Sequence, residues 1–435
     1  MRILLLNQDW FAQEWREAGH EVMSCGNGDQ FDHKLPTPLS HIDEIINQSG
    51  LSGSPDLIVY HDNSMPLSVL GIEDTEIPVL FYSVDSHHHA YWHKHFALLT
   101  DKTLVAHKDY VEHFTKEGVS AEWLPLWASR KMEPSDDKRH QAVFVGTMDP
   151  ELNPERVVFF EKLKQIAPVE VLTGEFWKIY PHAQIVLNQT VKGDLNFRVF
   201  ESLISGSMLL TEKSGNGLPD LFNDGQHLVL YEKNNVEEAA DLINKYLSNL
   251  KLCREIGAAG RDETLKKHTA EHRANDVLKM VTNLEKTTAP YRSYAGMMAY
   301  VCASVRYEKI SAPHSALCVT SACKLIERAL VDQEPITDFL TLYAVLSCME
   351  FDRIMNNNTG LKLLRHLCDA YPNSHIFRMS TIRGYLNAGE RDKALELVQG
   401  LGIEDNLVFE SSEIVVRKIL DMKLSKKDIN FVYGC

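Results

Sequence analysis

The chain has 435 residues, 44 % hydrophobic and 24 % charged, an ordinary globular composition with room for two or three domains. Its net charge of −15 excludes a general nucleic-acid binder, which needs a basic face, but leaves room for a local basic cleft. No apolar run approaches the roughly 18 residues of a membrane span. The start, MRILLLNQDW, is too short and polar for a signal peptide, and the eight cysteines form no C-x-x-C pair, so a reducing, cytoplasmic setting is expected.

The region 1–126 alternates strands and helices. Strands are expected at Arg2–Leu6, Glu21–Ser24, Leu57–Tyr60, Val79–Val84, Leu104–Ala106 and Ala121–Leu124, with a helix over Trp10–Ala18. This βαβα order predicts a parallel sheet. The Val79–Val84 strand runs into DSHHHAYWHKH, so Asp85, His87 and His88 fall at the carboxyl edge of the sheet, where doubly wound folds place their ligands. His89 and His93 have the i, i+4 spacing of metal ligands, but the H-E-x-x-H glutamate is missing and no metal is expected. Residues 127–140, rich in charge and carrying Pro134, read as a linker.

Residues 141–288 repeat the alternation. Strands are expected in AVFVG (Ala142–Gly146), Val169–Thr173, Ala183–Leu187, Met208–Thr211 and Leu228–Tyr231, and helices over Pro154–Ile166, Val236–Leu247 and Leu250–Ile256. Two turns invite an anion. Gly146-Thr147 follows a strand and precedes a helix that carries Arg156, and Asn216-Gly217-Leu218 precedes a short helix; in both, backbone N–H groups and a helix N-terminus could meet negative charge. The stretch from Asp194 to Thr211 predicts a helix with Asp194 as N-cap and Gly206 as the C′ stop. Val199, Phe200, Leu203 and Ile204 fall on its apolar side, and Arg198, Glu201 and Ser205 on the other. Phe176 and Trp177 could stack on a base or sit in the core.

From 289 to 435 no strand stands out. Ala316–Leu330, Ile336–Cys348, Gly360–Ala370 and Ser374–Asn387 have helical periodicity, and Asn387–Leu401 resembles the second half of a tetratricopeptide unit. The fold expected is therefore α/β, with two facing doubly wound, Rossmann-like domains and an all-α C-terminal domain. The cleft between the two lobes is the default ligand site.

Several signatures are missing: the G-x-x-x-x-G-K-[ST] loop, G-x-G-x-x-G after the first strand, G-x-S-x-G, and any Asp-x-Asp triplet. The ordered blocks Tyr180–Asn188, GDLNFRVFESLISGSMLLT, Gly217–Tyr231, Ala259–Glu263 and His268–Arg273 are similar to those of CgeB-type glycosyltransferases. The similarity is closest over 141–281. It implies a GT-B fold and transfer of a sugar from a nucleotide-sugar donor to an acceptor hydroxyl on a protein or glycan, with no cofactor and no divalent metal. It implies a donor site of Gly146, Thr147, Arg156, Asn188, Asn196, Arg198, Glu201, Gly217 and Leu218, with Glu201 on the ribose and Arg198 and Arg156 on the diphosphate. Asp85, His87 and His88 would then be the acceptor-side catalytic residues. Many retaining relatives carry a second glutamate eight positions before the first; here that position is Gly193. Two other readings stand beside this one, a nucleotide-sugar epimerase or phosphorylase of the same fold and a non-catalytic helical-repeat scaffold. In the transferase reading the helical region selects the acceptor.

Overall fold

A computed structural model describes residues 1–35, 37–287 and 291–399. The readings at Ala289 and from position 400 onward, including the end of the tetratricopeptide-like stretch, lie outside the described residues.

The first lobe is a seven-stranded parallel sheet. Its order across the sheet is His33–Lys34, Glu21–Gly26, Arg2–Leu6, Leu57–His61, Val79–Ser83, Lys102–Val105 and Ala121–Trp123. The central strands are buried along their whole length, which explains their near-continuous apolar sequence. The second lobe is a five-stranded parallel sheet in the order Val169–Leu172, His140–Val145, Ala183–Asn188, Met208–Glu212 and Val229–Tyr231. In both, the chain first builds outward from a starting strand and then returns to its other side. The reversal leaves a crevice at the carboxyl ends, between Arg2–Leu6 and Leu57–His61 in one lobe and between His140–Val145 and Ala183–Asn188 in the other.

One apolar cluster joins the lobes. Ile3, Leu5, Val59 and Tyr82 of the first sheet share it with Val199, Phe200, Leu203 and Ile204 of the helix Phe197–Ile204 and with Ala274 and Val277 of the helix Ala270–Val281. That last helix crosses back to the first lobe, where Trp15 Nε1 donates to Ala274 O at 3.0 Å.

The helical region shares its core with the opposite face of the first sheet. The helix Arg292–Tyr307 is buried on nearly every side, with Tyr294, Met297, Met298 and Val301 packed among Leu4, Ile58, Val79 and Phe81. It is fixed by polar contacts as well. Gly71 N donates to Tyr300 OH at 2.7 Å, and Tyr307 OH donates to Leu67 O at 3.0 Å. Five further helices, Ala312–Val331, Asp338–Met355, Thr359–Ala370, His375–Asn387 and Arg391–Gln399, follow as antiparallel neighbours joined by short turns. No helix among the described residues is long and apolar enough to cross a membrane.

Candidate active site between the two lobes

Two cavities sit at the two crevices and meet. The larger, about 500 Å³, lies at the carboxyl end of the second sheet and is lined by Gly146, Thr147, Arg156, Tyr180, Arg198 and Glu201, among others. The smaller, about 230 Å³, lies at the carboxyl end of the first sheet and is lined by Trp10, Asp62, Ser64, Asp85 and His107. Asp194, Asn196 and Phe197 line both.

The helix Phe197–Ile204 carries the most informative side chains. It starts two residues later than the sequence suggests. Asn196, in extended conformation, is its N-cap residue, while Asp194 closes the preceding turn by accepting from Val191 N at 2.6 Å. Gly206 ends it at φ 77°, the left-handed conformation that glycine adopts without strain. Arg198 and Glu201 face the larger cavity. Ser205 does not; it is fully buried and its hydroxyl donates to Ser202 O at 2.6 Å. Asn196, Phe197 and Arg198 put the positive end of this helix at the cavity wall, which favours an anion there.

Arg198 is pinned. Its Nε donates to Val145 O at 3.1 Å, its Nη1 donates to Asn188 Oδ1 at 2.8 Å, and its guanidinium lies 4.6 Å from the centre of the Phe144 ring. Gly146 makes room for it, since a Cβ there would come within 2.7 Å of Arg198 Nη2. Asn188 is fully buried behind the arginine and lines neither cavity; it orients Arg198 and is itself held through its Nδ2, which donates to Thr211 Oγ1 at 3.0 Å. Asn196 Nδ2 donates to the same Asn188 oxygen at 3.3 Å.

Arg156, on the first turn of the helix Pro154–Ile166, reaches the same cavity. Its Nη2 donates to Gln189 O at 3.1 Å and its Nη1 to Thr147 O at 3.4 Å. Burial, and after it the charge of Arg198, lower its pKa to about 10. Neither arginine has a carboxylate partner among the described residues. Two guanidinium groups that repel each other in a half-dry cavity form a site for a polyanion. Glu201 accepts from Ser129 Oγ at 2.7 Å, and burial raises its pKa despite that bond.

Gly217 and Leu218 stand elsewhere. Leu218 is in the shared core, and Gly217, at φ 90°, is pressed against the Trp123 ring of the first lobe, leaving no room for a Cβ. The loop they belong to is a contact between the lobes: Asn216 N donates to Asp109 Oδ2 at 2.9 Å, and Lys108 pairs with Asp220 at 2.8 Å. The glycine is needed here for packing between lobes, and neither residue lines the two cavities.

On the acceptor side, only Asp85 of the three residues chosen from sequence lines the smaller cavity. Asp85 precedes the helix Ser86–Phe96; its backbone N donates to Asp62 Oδ2 at 2.7 Å and its carboxylate accepts from Ser64 Oγ. Burial raises its pKa, and the neighbouring Asp62 raises it further. His87 is half-buried with its ring 4.8 Å from that of His107, and burial and then His107 lower its pKa to about 2. His88 is exposed, and burial of part of its ring and the Lys192 charge across the cleft lower its pKa. His93 is buried, its Nδ1 2.7 Å from Ser83 Oγ and its Nε2 3.5 Å from Asp62. Burial alone would raise the pKa of Asp62, but His93 and the N–H groups of Asp85 and Ser64 hold it well below the usual range. No cluster of three metal-binding groups occurs among the described residues.

Asp62, His107, Tyr180, Ser129 and the cleft position of Asp194 were not singled out from sequence. Asp62 directly follows the strand Leu57–His61, and His107 lies two residues after Lys102–Val105. The carboxyl-edge rule that selected Asp85, applied to every strand, points to both. The helical region also touches this edge: Arg306 Nη2 donates to Ser64 O at 3.0 Å, so the same Ser64 joins the helices to Asp85.

Two Rossmann-like lobes facing across a cleft, each with its crevice at the carboxyl edge, define the GT-B fold. Residues 137–279 match the family model described as glycosyl transferase-like. Among solved structures, the chain is similar to HepE of Anabaena in complex with UDP and glucose, at 11 % identity and TM-score 0.50 over 65 % of this chain and 100 % of that one. It is similar in the same measure to sucrose-phosphate synthase of Thermosynechococcus elongatus, at 13 % identity and TM-score 0.50 over 65 % of this chain and 99 % of that one. No curated protein matches the sequence.

Proposed function

We propose that the protein is a glycosyltransferase of the CgeB type, moving a sugar from a nucleotide-sugar donor to an acceptor hydroxyl. The observation that carries this reading is the convergence of Arg156 and Arg198, mutually repelling and without a carboxylate partner among the described residues, on a cavity that Glu201 also lines. The nucleotide diphosphate is the leaving group. Arg156, Arg198 and the first turn of the helix Phe197–Ile204 would take up the charge that grows on it as the glycosidic bond breaks, so this reading needs no divalent cation. Glu201 is a suitable acceptor for ribose hydroxyls. The structure of HepE solved with UDP and glucose supports a donor of that class.

The scaffold reading would be favoured by Arg198 and Glu201 locked in structural salt bridges. Among the described residues neither is so paired, and both line the cavity. The acceptor is assigned to the first lobe, with the helices His375–Asn387 and Arg391–Gln399 read as a tetratricopeptide-like pair in the helical region that presents a protein or glycan. The test is incubation with UDP-, GDP- and ADP-linked hexoses, following release of free nucleotide. The proposal expects release from at least one donor. Absence of release from all of them together with absence of UDP binding would overturn it, and an epimerised donor would point to the isomerase chemistry of the same fold.

A further inference from the structure

Among the described residues, Asp194 is the one acidic residue that lines both cavities. On one side of it lie Arg198 and Arg156, and on the other the first-lobe wall of Asp85, Asp62 and His107. It is 7 % exposed and held by the Val191 N–H at 2.6 Å. Asp85, the acceptor-side carboxylate chosen from sequence, lines only the smaller cavity, where its carboxylate accepts from Ser64 Oγ. We propose that Asp194 is the general base that takes the proton of the incoming hydroxyl at the junction of donor and acceptor.

This inference rests on the transferase reading above. In the step, the acceptor O–H bond breaks and its proton passes to an Asp194 oxygen. The acceptor oxygen bonds to the anomeric carbon as the bond from that carbon to the diphosphate oxygen breaks. The electron pair leaves with the diphosphate, between Arg156 and Arg198. When water is the acceptor, the same balance gives free sugar and nucleotide diphosphate. A base works best when its pKa is close to the working pH. Burial raises that of Asp194 to about 6, against the opposing pull of the Val191 N–H, Asn196, Arg198 and Arg156. The groups facing it are thus Arg156 and Arg198 from the donor lobe and, through the smaller cavity, Asp85, Asp62 and His107 from the acceptor lobe. After transfer the carboxyl group is protonated and returns its proton to solvent as the cleft opens.

The test uses Asp194→Asn and Asp194→Glu in the full chain, with UDP binding by calorimetry, turnover of the nucleotide sugar that the wild type consumes, and thermal melting as the check of folding. The expected result is a melting temperature and UDP affinity near those of the wild type, with turnover of Asp194→Asn down by about 100-fold or more. Asp194→Glu keeps a carboxyl group and should recover part of the rate. The wild-type rate should rise with pH around 6, and this limb should vanish in Asp194→Asn. Turnover of Asp194→Asn within threefold of wild type, or loss of UDP binding in place of turnover, would overturn the inference while leaving the transferase reading intact. A wild type that neither binds UDP nor consumes any donor would overturn both.

Discussion

Replacing Arg198 with methionine separates binding from folding. The side chain gives two of its nitrogens to the protein, Nε to Val145 O and Nη1 to Asn188 Oδ1, and lays Nη2 over the Gly146 turn. A phosphate there would gain one charge-assisted hydrogen bond, about 1.5–3 kcal/mol, plus part of a Coulomb attraction of about 4 kcal/mol for a pair 4 Å apart near a protein surface. A net loss of about 3 kcal/mol corresponds to roughly 100-fold in UDP affinity. The cost to folding is smaller. Asn188 Oδ1 keeps the Asn196 Nδ2 donor, methionine still covers the Phe144 ring, and Arg156 is relieved of its like-charged neighbour. Stability should therefore fall by only about 1 kcal/mol. Calorimetry with UDP and urea unfolding without ligand read the two effects separately. An affinity within threefold of wild type would refute the reasoning, as would a loss of affinity matched by an equal loss of stability.

Three other outcomes follow from the geometry. Glu201→Ala should weaken UDP binding about tenfold, the worth of one hydrogen bond to a charged group, and should leave the binding of inorganic diphosphate unchanged; equal loss for both ligands would remove Glu201 from the ribose. Gly217→Val forces a side chain into the Trp123 ring at φ 90° and should cost at least about 2 kcal/mol in urea unfolding; an unchanged midpoint would contradict the packing contact described for this loop. The protein should be acid-labile: burial lowers the pKa of His61 and of His268 to about 3 and that of His107 to about 4, while the unfolded chain titrates near 6.5. Their folded values are depressed, so their stabilisation is complete above pH 6.5 and is lost as pH falls. Each imidazole costs up to about 2 kcal/mol by pH 5, and a urea midpoint that is flat from pH 7 to 5 would disprove that these rings are buried uncharged.

Strand positions were legible because each central strand is a short apolar run bounded by polar turns, and a parallel sheet buried on both faces has that pattern. The helix Phe197–Ile204 was legible from its apolar stripe, and its Arg and Glu do reach one cavity. Its start was misread because Asp194 satisfies the spacing rule for a cap, but one of its carboxylate oxygens accepts from Val191 N in the preceding turn and Asn196 is the cap residue. The helix Arg292–Tyr307 escaped notice for the opposite reason. It is buried on almost all sides, so its sequence has no polar face to set against an apolar one. What covers the first sheet could not be read at all. Contacts such as Tyr300 with Gly71 and Arg306 with Ser64 join positions more than 200 residues apart, and nothing local encodes them. The same holds for the loop at Gly217, whose glycine fits an anion site and a tight packing contact equally well until its neighbours are known.

The central claim is that a nucleoside diphosphate lies between the lobes, its phosphates on the second. A crystal structure of the protein grown with UDP tests it most directly. The account predicts phosphate oxygens within hydrogen-bonding distance of Arg156 and Arg198 and ribose hydroxyls at Glu201. UDP bound at another surface, with the arginine cavity empty, would contradict it.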